Sequence, residues 1–357
     1  MMKKIFLALG LLLLLFVLYL LLWPVPIDPV AWEPPTAPAL KDTYERNQQL
    51  QAVERLGEGV AKGPEDVIVD EAGRIYGSFE DGRIRRFDAQ GEKAEVFANT
   101  EGRPLGLAWA AGGTLVVADG KKGLLAVRRD GSIRELTTEA DGVPFGFTNA
   151  VVVGSNNMVY FTDASHRFGV SNFMADILEY RGNGRLLQYD PISDTTTELL
   201  DDLYFANGVA LGPGEDYLLV AETSAYRIMR YWLVGPKKGT AEVFMENLPG
   251  LPDNVNYDAE EDVFWIALFA PRNRLLDWVA NKPWLRKVVY RLPKVLQPKE
   301  AHHAFVLGVT PEGDVRYNLQ DDSNKAFAPI TSVRRHGHSL YLGSLYQKAI
   351  GRYELAQ

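Results

Sequence analysis

The chain has 357 residues, 46% of them apolar, and a formal charge of −8. That is enough apolar material for a sizeable core, and the acidic balance argues against a nucleic-acid partner. With 0 cysteines, disulfides and thiolate chemistry are excluded.

The first element is the run IFLALGLLLLLFVLYLLLW, residues 5–23, which carries no charge. At the helical rise it covers roughly 28 Å, about one hydrocarbon core. It is longer than an ordinary signal-peptide core and no small-x-small cleavage site follows it, so the reading is an uncleaved anchor rather than a removed signal. Lys3 and Lys4 precede it and place the N-terminus in the cytoplasm. The rest then lies on the far side, and the absence of both cysteines and N-x-S/T sequons favours a bacterial periplasm over a lumenal or extracellular space. The expected organisation is an anchor over 1–24, a Pro-rich spacer over 25–44 and one domain over 45–357. Within the last, ERNQQLQAVERL (45–56) suits either a helix or a strand that closes the domain on itself.

From residue 60 onward, short apolar strands come in pairs. RIYGSF (74–79), TLVVAD (114–119), MVYFTD (158–163), YLLVAE (217–222), VFWIAL (263–268) and a run around Tyr341 each follow a turn rich in Gly, Asp, Asn or Glu, and each turn follows another apolar strand. Units of this length predict an all-β, six-bladed β-propeller with four-stranded blades, preceded by a transmembrane helix. The stretch 270–298 interrupts blade five, and predicts a helical insertion. It holds Arg272, Arg274, Lys282, Arg286, Lys287, Arg291 and Lys294 against Asp277, with Trp278 and Trp284 among them. It reads as an interfacial element resting on anionic lipid, or as an ordinary helix covering one end of the propeller.

Aligning the units on the second strand and stepping back 11 residues, or 12 in blade four, gives Glu65, Leu105, Asn149, Asn207, Asn254 and Ile330, with Asp253 beside Asn254. First strands line the axis of a propeller, so these residues, placed just before them, form a ring. Glu65, Asn149, Asn207, Asp253 and Asn254 would be badly unsatisfied if dry. A hard cation such as Ca²⁺, which takes six to eight oxygens, resolves that. No His or Cys joins the ring, which argues against zinc.

GPEDVIVD, FTNAVVVG, FANGVALGPGEDYLLVAE and LPDNVNYD resemble the calcium-dependent six-bladed propellers, the paraoxonase and senescence-marker/gluconolactonase group. GRLLQYDPISDTTTELL and YLLVAETSAYRIMRYWLVGPKKGTAEVF resemble strictosidine-synthase-like proteins more closely, above all the membrane-anchored adipocyte plasma membrane-associated type. The resemblance implies a catalytic calcium on Glu65, Asn149, Asn207, Asp253 and Asn254. It also implies a second, structural ion, whose acids would fall at Asp66 and Ala150; with Ala at one of them, one axial ion is expected. The family's His pair falls at Leu105 and Asp119, and the acid needed for strictosidine-type condensation is missing from PITSV in the last blade.

The expected activity is hydrolysis of a small-molecule ester or lactone, with Asp253 or Asp119 as base and His166 as a substrate contact; the alternative is a non-catalytic binding propeller with a structural ion. Adjacent His302 and His303 point to opposite faces of a strand, and His336 and His338 sit in a turn. Membrane lipid is the expected partner of 5–23 and of 270–298.

Overall fold

The structure, a computed structural model, describes residues 1–355. Six four-stranded antiparallel sheets form the propeller, and their innermost strands are Val67–Val69, Pro104–Ala110, Thr148–Val153, Ala206–Leu211, Gly250–Asp258 and Val333–His336. Six apolar clusters fill the six seams between neighbouring sheets. Alternation along a strand feeds both seams. In Tyr217–Glu222, for instance, Tyr217, Leu219 and Ala221 pack toward blade five, while Leu218 and Val220 pack toward blade three. Both faces being covered, these strands read as unbroken apolar runs rather than as alternating ones.

The segment before the first blade supplies both candidate elements. A 3₁₀ turn over Gln49–Ala52 leads into the strand Glu54–Leu56, which pairs antiparallel with Ile350–Glu354 and completes blade six. The ring is thus closed by the N-terminal end of the domain on its C-terminal strand.

Among the described residues four α-helices stand outside the sheets: α1 (Met2–Leu22), α2 (Phe173–Glu179), α3 (Arg274–Val279) and α4 (Pro283–Arg291). α2 occupies the connection between the second and third strands of blade three, and α3 and α4 the equivalent connection of blade five. The 21 residues of α1 have a mean hydropathy of 3.1 over the best window and none is buried. The Pro-rich stretch after it is a fixed strap. Ile27 is buried with Phe168 and Val289, Val30 N–H donates to Glu179 O, Trp32 stacks on Tyr180 at 4.1 Å, and Arg272 donates to Pro35 O.

The axial residues differ from expectation in one respect. Most do not precede the first strands; they sit inside them, at a β-bulge that recurs in blades two to five. Pairing shifts by one residue at 105–106, 149–150, 207–208 and 253–254. A bulge bends a strand and re-aims a side chain. The second residue of the bulge is where neighbouring blades crowd the axis. A Cβ on Gly208 would lie 2.5 Å from Val255 N, and one on Gly106 2.7 Å from Ala150 Cα, so these two positions need glycine for close approach.

Candidate metal centre and cavity

Strand pairing corrects the register in blade five. Ile68 pairs with Tyr76, Val152 with Tyr160 and Ala210 with Leu219, each three residues after Glu65, Asn149 and Asn207. In blade five Asn256 pairs with Trp265, which makes Asp253 the equivalent residue, and in blade six Arg334 pairs with Tyr341, which makes it Thr331. The ring is therefore Glu65, Leu105, Asn149, Asn207, Asp253 and Thr331. Asn254 and Ile330 are each one step off it, because a one-residue slip flips a side chain to the other face.

Hydroxyls stitch this ring together. Ser78 Oγ donates to Leu105 O (2.6 Å), Thr162 Oγ1 to Asn207 O (2.6 Å) and Thr331 Oγ1 to Glu65 O (2.7 Å). Each therefore fixes the backbone of the ring residue in the next blade. Rigid backbone at these points leaves only side-chain torsions to adjust around a ligand.

Glu65, Asn149, Asn207 and Asp253 form the floor of a partly open cavity of about 320 Å³. All four are buried. Asn207 Nδ2 donates to Thr223 Oγ1 at 3.2 Å, which leaves its Oδ1 without a partner; Glu65 Oε2 also has none. Burial raises the carboxyl pKa of Glu65, and the charge on Asp66 adds to it, against the opposing charge of Arg103. Burial raises that of Asp253 as well, with Glu65 second and the Asn207 amide opposing. Two desolvated acids and an orphaned amide oxygen at one point favour a bound cation. Among the described residues no three His, Cys, Asp or Glu side chains converge. The donors are two carboxylates supplemented by amides, an all-oxygen set that suits Ca²⁺ and not a soft metal.

The structure does not bring every expected residue here. Asn254 does not line the cavity; its Nδ2 donates to Glu65 Oε1 at 2.8 Å and orients that carboxylate. Asp119 is fully buried at the end of a second strand, where Oδ1 accepts the N–H groups of Arg103, Lys121 and Lys122. It clamps a turn, as Asp163 does for Phe147 N–H and Glu222 for Tyr204 N–H, and it does not face the cavity. His166 is exposed, with Nδ1 2.8 Å from Asn183 O, and also lies outside. His303 is buried against Gln320 Oε1 at 2.9 Å, while His302, His336 and His338 are exposed. Asp66 accepts from Leu107 N–H and from the Arg334 guanidinium at 3.0 Å, so an internal cation already faces it.

The cavity wall was not foreseen. Arg103, Phe147, Phe205 and Leu251 line it, each two residues before a ring position. Strand periodicity carries the signal: residues i and i−2 share a face. α2 adds Phe173, Met174 and Ile177, and α3 adds Leu276. The result is an apolar chamber over a polar floor.

The six-bladed propeller fold also appears in comparisons with known proteins. Residues 149–236 match the family model described as strictosidine synthase, and residues 42–87 that described as strictosidine synthase-like, N-terminal. The chain is 38% identical to protein strictosidine synthase-like 6 of Arabidopsis thaliana over 313 residues, which is 86% of this chain and 82% of that protein. It is 32% identical to the adipocyte plasma membrane-associated protein of Rattus norvegicus over 92% of this chain and 93% of that one. A gluconolactonase from Xanthomonas campestris shares the fold at a TM-score of 0.61 and 16% identity, over 94% of this chain and 99% of that structure. The chain belongs to the strictosidine synthase-like family.

Proposed function

We propose that the protein is a membrane-anchored hydrolase of esters or lactones that works with one Ca²⁺ held by Glu65, Asn149, Asn207 and Asp253. The observation that carries this reading is the pair of orphaned oxygens, Glu65 Oε2 and Asn207 Oδ1, buried at the floor of a cavity that a small molecule can enter. When bound there, a hard divalent ion polarises a carbonyl oxygen and offsets the negative charge that develops on it.

The chain's own residues do the rest. Asn254 holds Glu65 in place through its amide. Phe147, Phe205 and Leu251 bury an aryl or acyl group and exclude water around the reacting bond. Of Asp253, Asp119 and His166, only Asp253 lines the cavity, and it is assigned to take the proton of the attacking water on a carboxylate oxygen. Thr331, not an acid, fills the last blade's ring position and is spent on Glu65 O, so an amine–aldehyde condensation is not proposed. The apolar α1 and the name of the rat relative both support anchoring; Lys3 and Lys4 ahead of α1 are what favours a propeller on the side opposite the cytoplasm.

The test is turnover of aryl esters and lactones by the full chain in lipid nanodiscs, with Ca²⁺ and with a chelator. We expect at least a hundredfold loss on chelation, restored by Ca²⁺. Equal rates in both conditions would remove the ion from the chemistry. Ion-dependent stability without turnover would instead favour a binding propeller.

A further inference from the structure

α4 is clamped to the end of the membrane helix. Arg291 Nε donates to Trp23 O at 2.5 Å and Nη1 to Leu20 O at 2.8 Å, while Tyr19 Oη donates to Arg291 O at 3.1 Å. The carbonyls of a last helical turn have no partner within their own helix, and here a buried guanidinium from the propeller caps them. The last turn of a spanning helix lies at the headgroup layer, and Tyr19 and Trp23 have the amphipathic rings usual at that level. α4 therefore meets the bilayer surface.

The outer side of the same insertion is unusually apolar for exposed surface. Leu275, Trp278, Trp284, Val295 and Leu296 are 48%, 57%, 60%, 77% and 57% exposed. Trp284 lies seven residues before Arg291, nearly two full helical turns, so the two share one face of α4. Arg274 and Lys294 are exposed near them, and Lys282 and Lys287 half-exposed. In a protein of charge −8 this is a local basic excess, complementary to anionic lipid.

The inner side of these elements is the cavity wall. Leu276 of α3 and Met174 of α2 line the cavity and also pack in the cluster that holds Val289 of α4. Pro298 and Lys299, just after Leu296, stand at the cavity as well.

We propose that the α3–α4 insertion sits in the headgroup layer of the bilayer that α1 spans, through Leu275, Trp278, Trp284, Val295 and Leu296, and that the cavity takes its substrate from that layer. The substrate is then a lipophilic ester or lactone that partitions into the membrane. The docking stands on the surface alone; the substrate class rests on the hydrolase reading above. Arg272, Arg286 and Arg291 take no part in lipid contact, since they are consumed by Asp277 and Asn247, by Val30 O and Leu178 O, and by the anchor carbonyls.

The chain has 0 cysteines, so introduced ones report alone. Full-length Trp284→Cys and Leu296→Cys carry an environment-sensitive fluorophore in vesicles of equal parts phosphatidylcholine and phosphatidylglycerol. Ile192→Cys, at a turn 92% exposed in blade three, is the control. We expect quenching by lipid-borne spin label at the first two positions and none at the control. Labels that all remain in water overturn the docking. A dry but unquenched label means that a protein covers the face, and also overturns it.

A second measurement compares W278S/W284S/L296S with the parent on a long-chain ester dissolved in the bilayer and a short water-soluble one. At least a tenfold loss confined to the long-chain ester is expected. Equal effects on both esters overturn delivery from the membrane. Quenching as expected with no turnover of either ester retains the docking and sinks the hydrolase reading.

Discussion

Asp253 and Asn254 show how much one position matters at the axis. Both are buried and both carry oxygen, yet only Asp253 faces the cavity; Asn254 holds the Glu65 carboxylate and would reach the proposed ion only through it. Outer partners of this kind are worth about 10- to 100-fold in metal affinity. We therefore expect Asn254→Ala to weaken Ca²⁺ binding about 10- to 100-fold, and Asp253→Asn or Glu65→Gln to weaken it further, as titration calorimetry on the full chain will show. Equal losses in Asn254→Ala and Asp253→Asn would return Asn254 to the ligand set. The residue types were legible in the sequence, because Asp and Asn are poor strand formers and stand out in an apolar run. The register was not: the turn between the first two strands of blade five is one residue longer than in blades two and three, as it is in blade four, so counting back 11 residues lands one residue late. Asp119 misled for a related reason. An acid at a strand end looks reactive, and its partners are backbone N–H groups that no side-chain pattern reveals.

α2 is short, and its sequence offered no strong periodicity, so a helix there was not expected. What holds it is burial of Ala175 and Leu178 against the insertion of blade five and the strap, and of Asp176 against Asn183. Asp176 is the odd member. Burial pushes its carboxyl from the ordinary 3.8 to about 7, against the hydrogen bonds of Ser165 and Asn183. A raised folded-state pKa means that the folded protein binds the proton more tightly than the unfolded chain. Its contribution to stability is thus complete below about pH 4 and is lost as pH rises through about 7. Asp176→Asn, with no proton to lose, should show a flatter dependence of thermal midpoint on pH across that window, with its advantage over the parent largest above pH 7. The closing strand is the second element to test. Leu56 is 4% exposed and packs on Val67, Phe87 and Ile350, so Leu56→Ala should cost about 2–5 kcal/mol in denaturant unfolding. It should also expose residues 40–56 to protease before the rest of the domain unfolds.

The architecture was readable from residue 60 onward because both faces of each blade's second strand are covered, and paired apolar runs with turn residues between them have few other solutions. The strap and the clamp at Arg291 were not, since each joins residues 141 to 268 positions apart through main-chain carbonyls. Composition left the basic residues of the insertion between lipid contact and an ordinary covering helix, and could not show that Arg272, Arg286 and Arg291 are internal ties.

The closure of the ring also constrains how the protein is made. The strand Glu54–Leu56 is synthesised about 300 residues before its partner Ile350–Glu354. Pairings of such long separation are slow to form, and until this one forms, two sheet edges stay open to the wrong neighbour. The nascent propeller must therefore wait, incomplete, for that strand, and a ribosome that stalls before it leaves behind a chain with almost every blade and no means of locking them together.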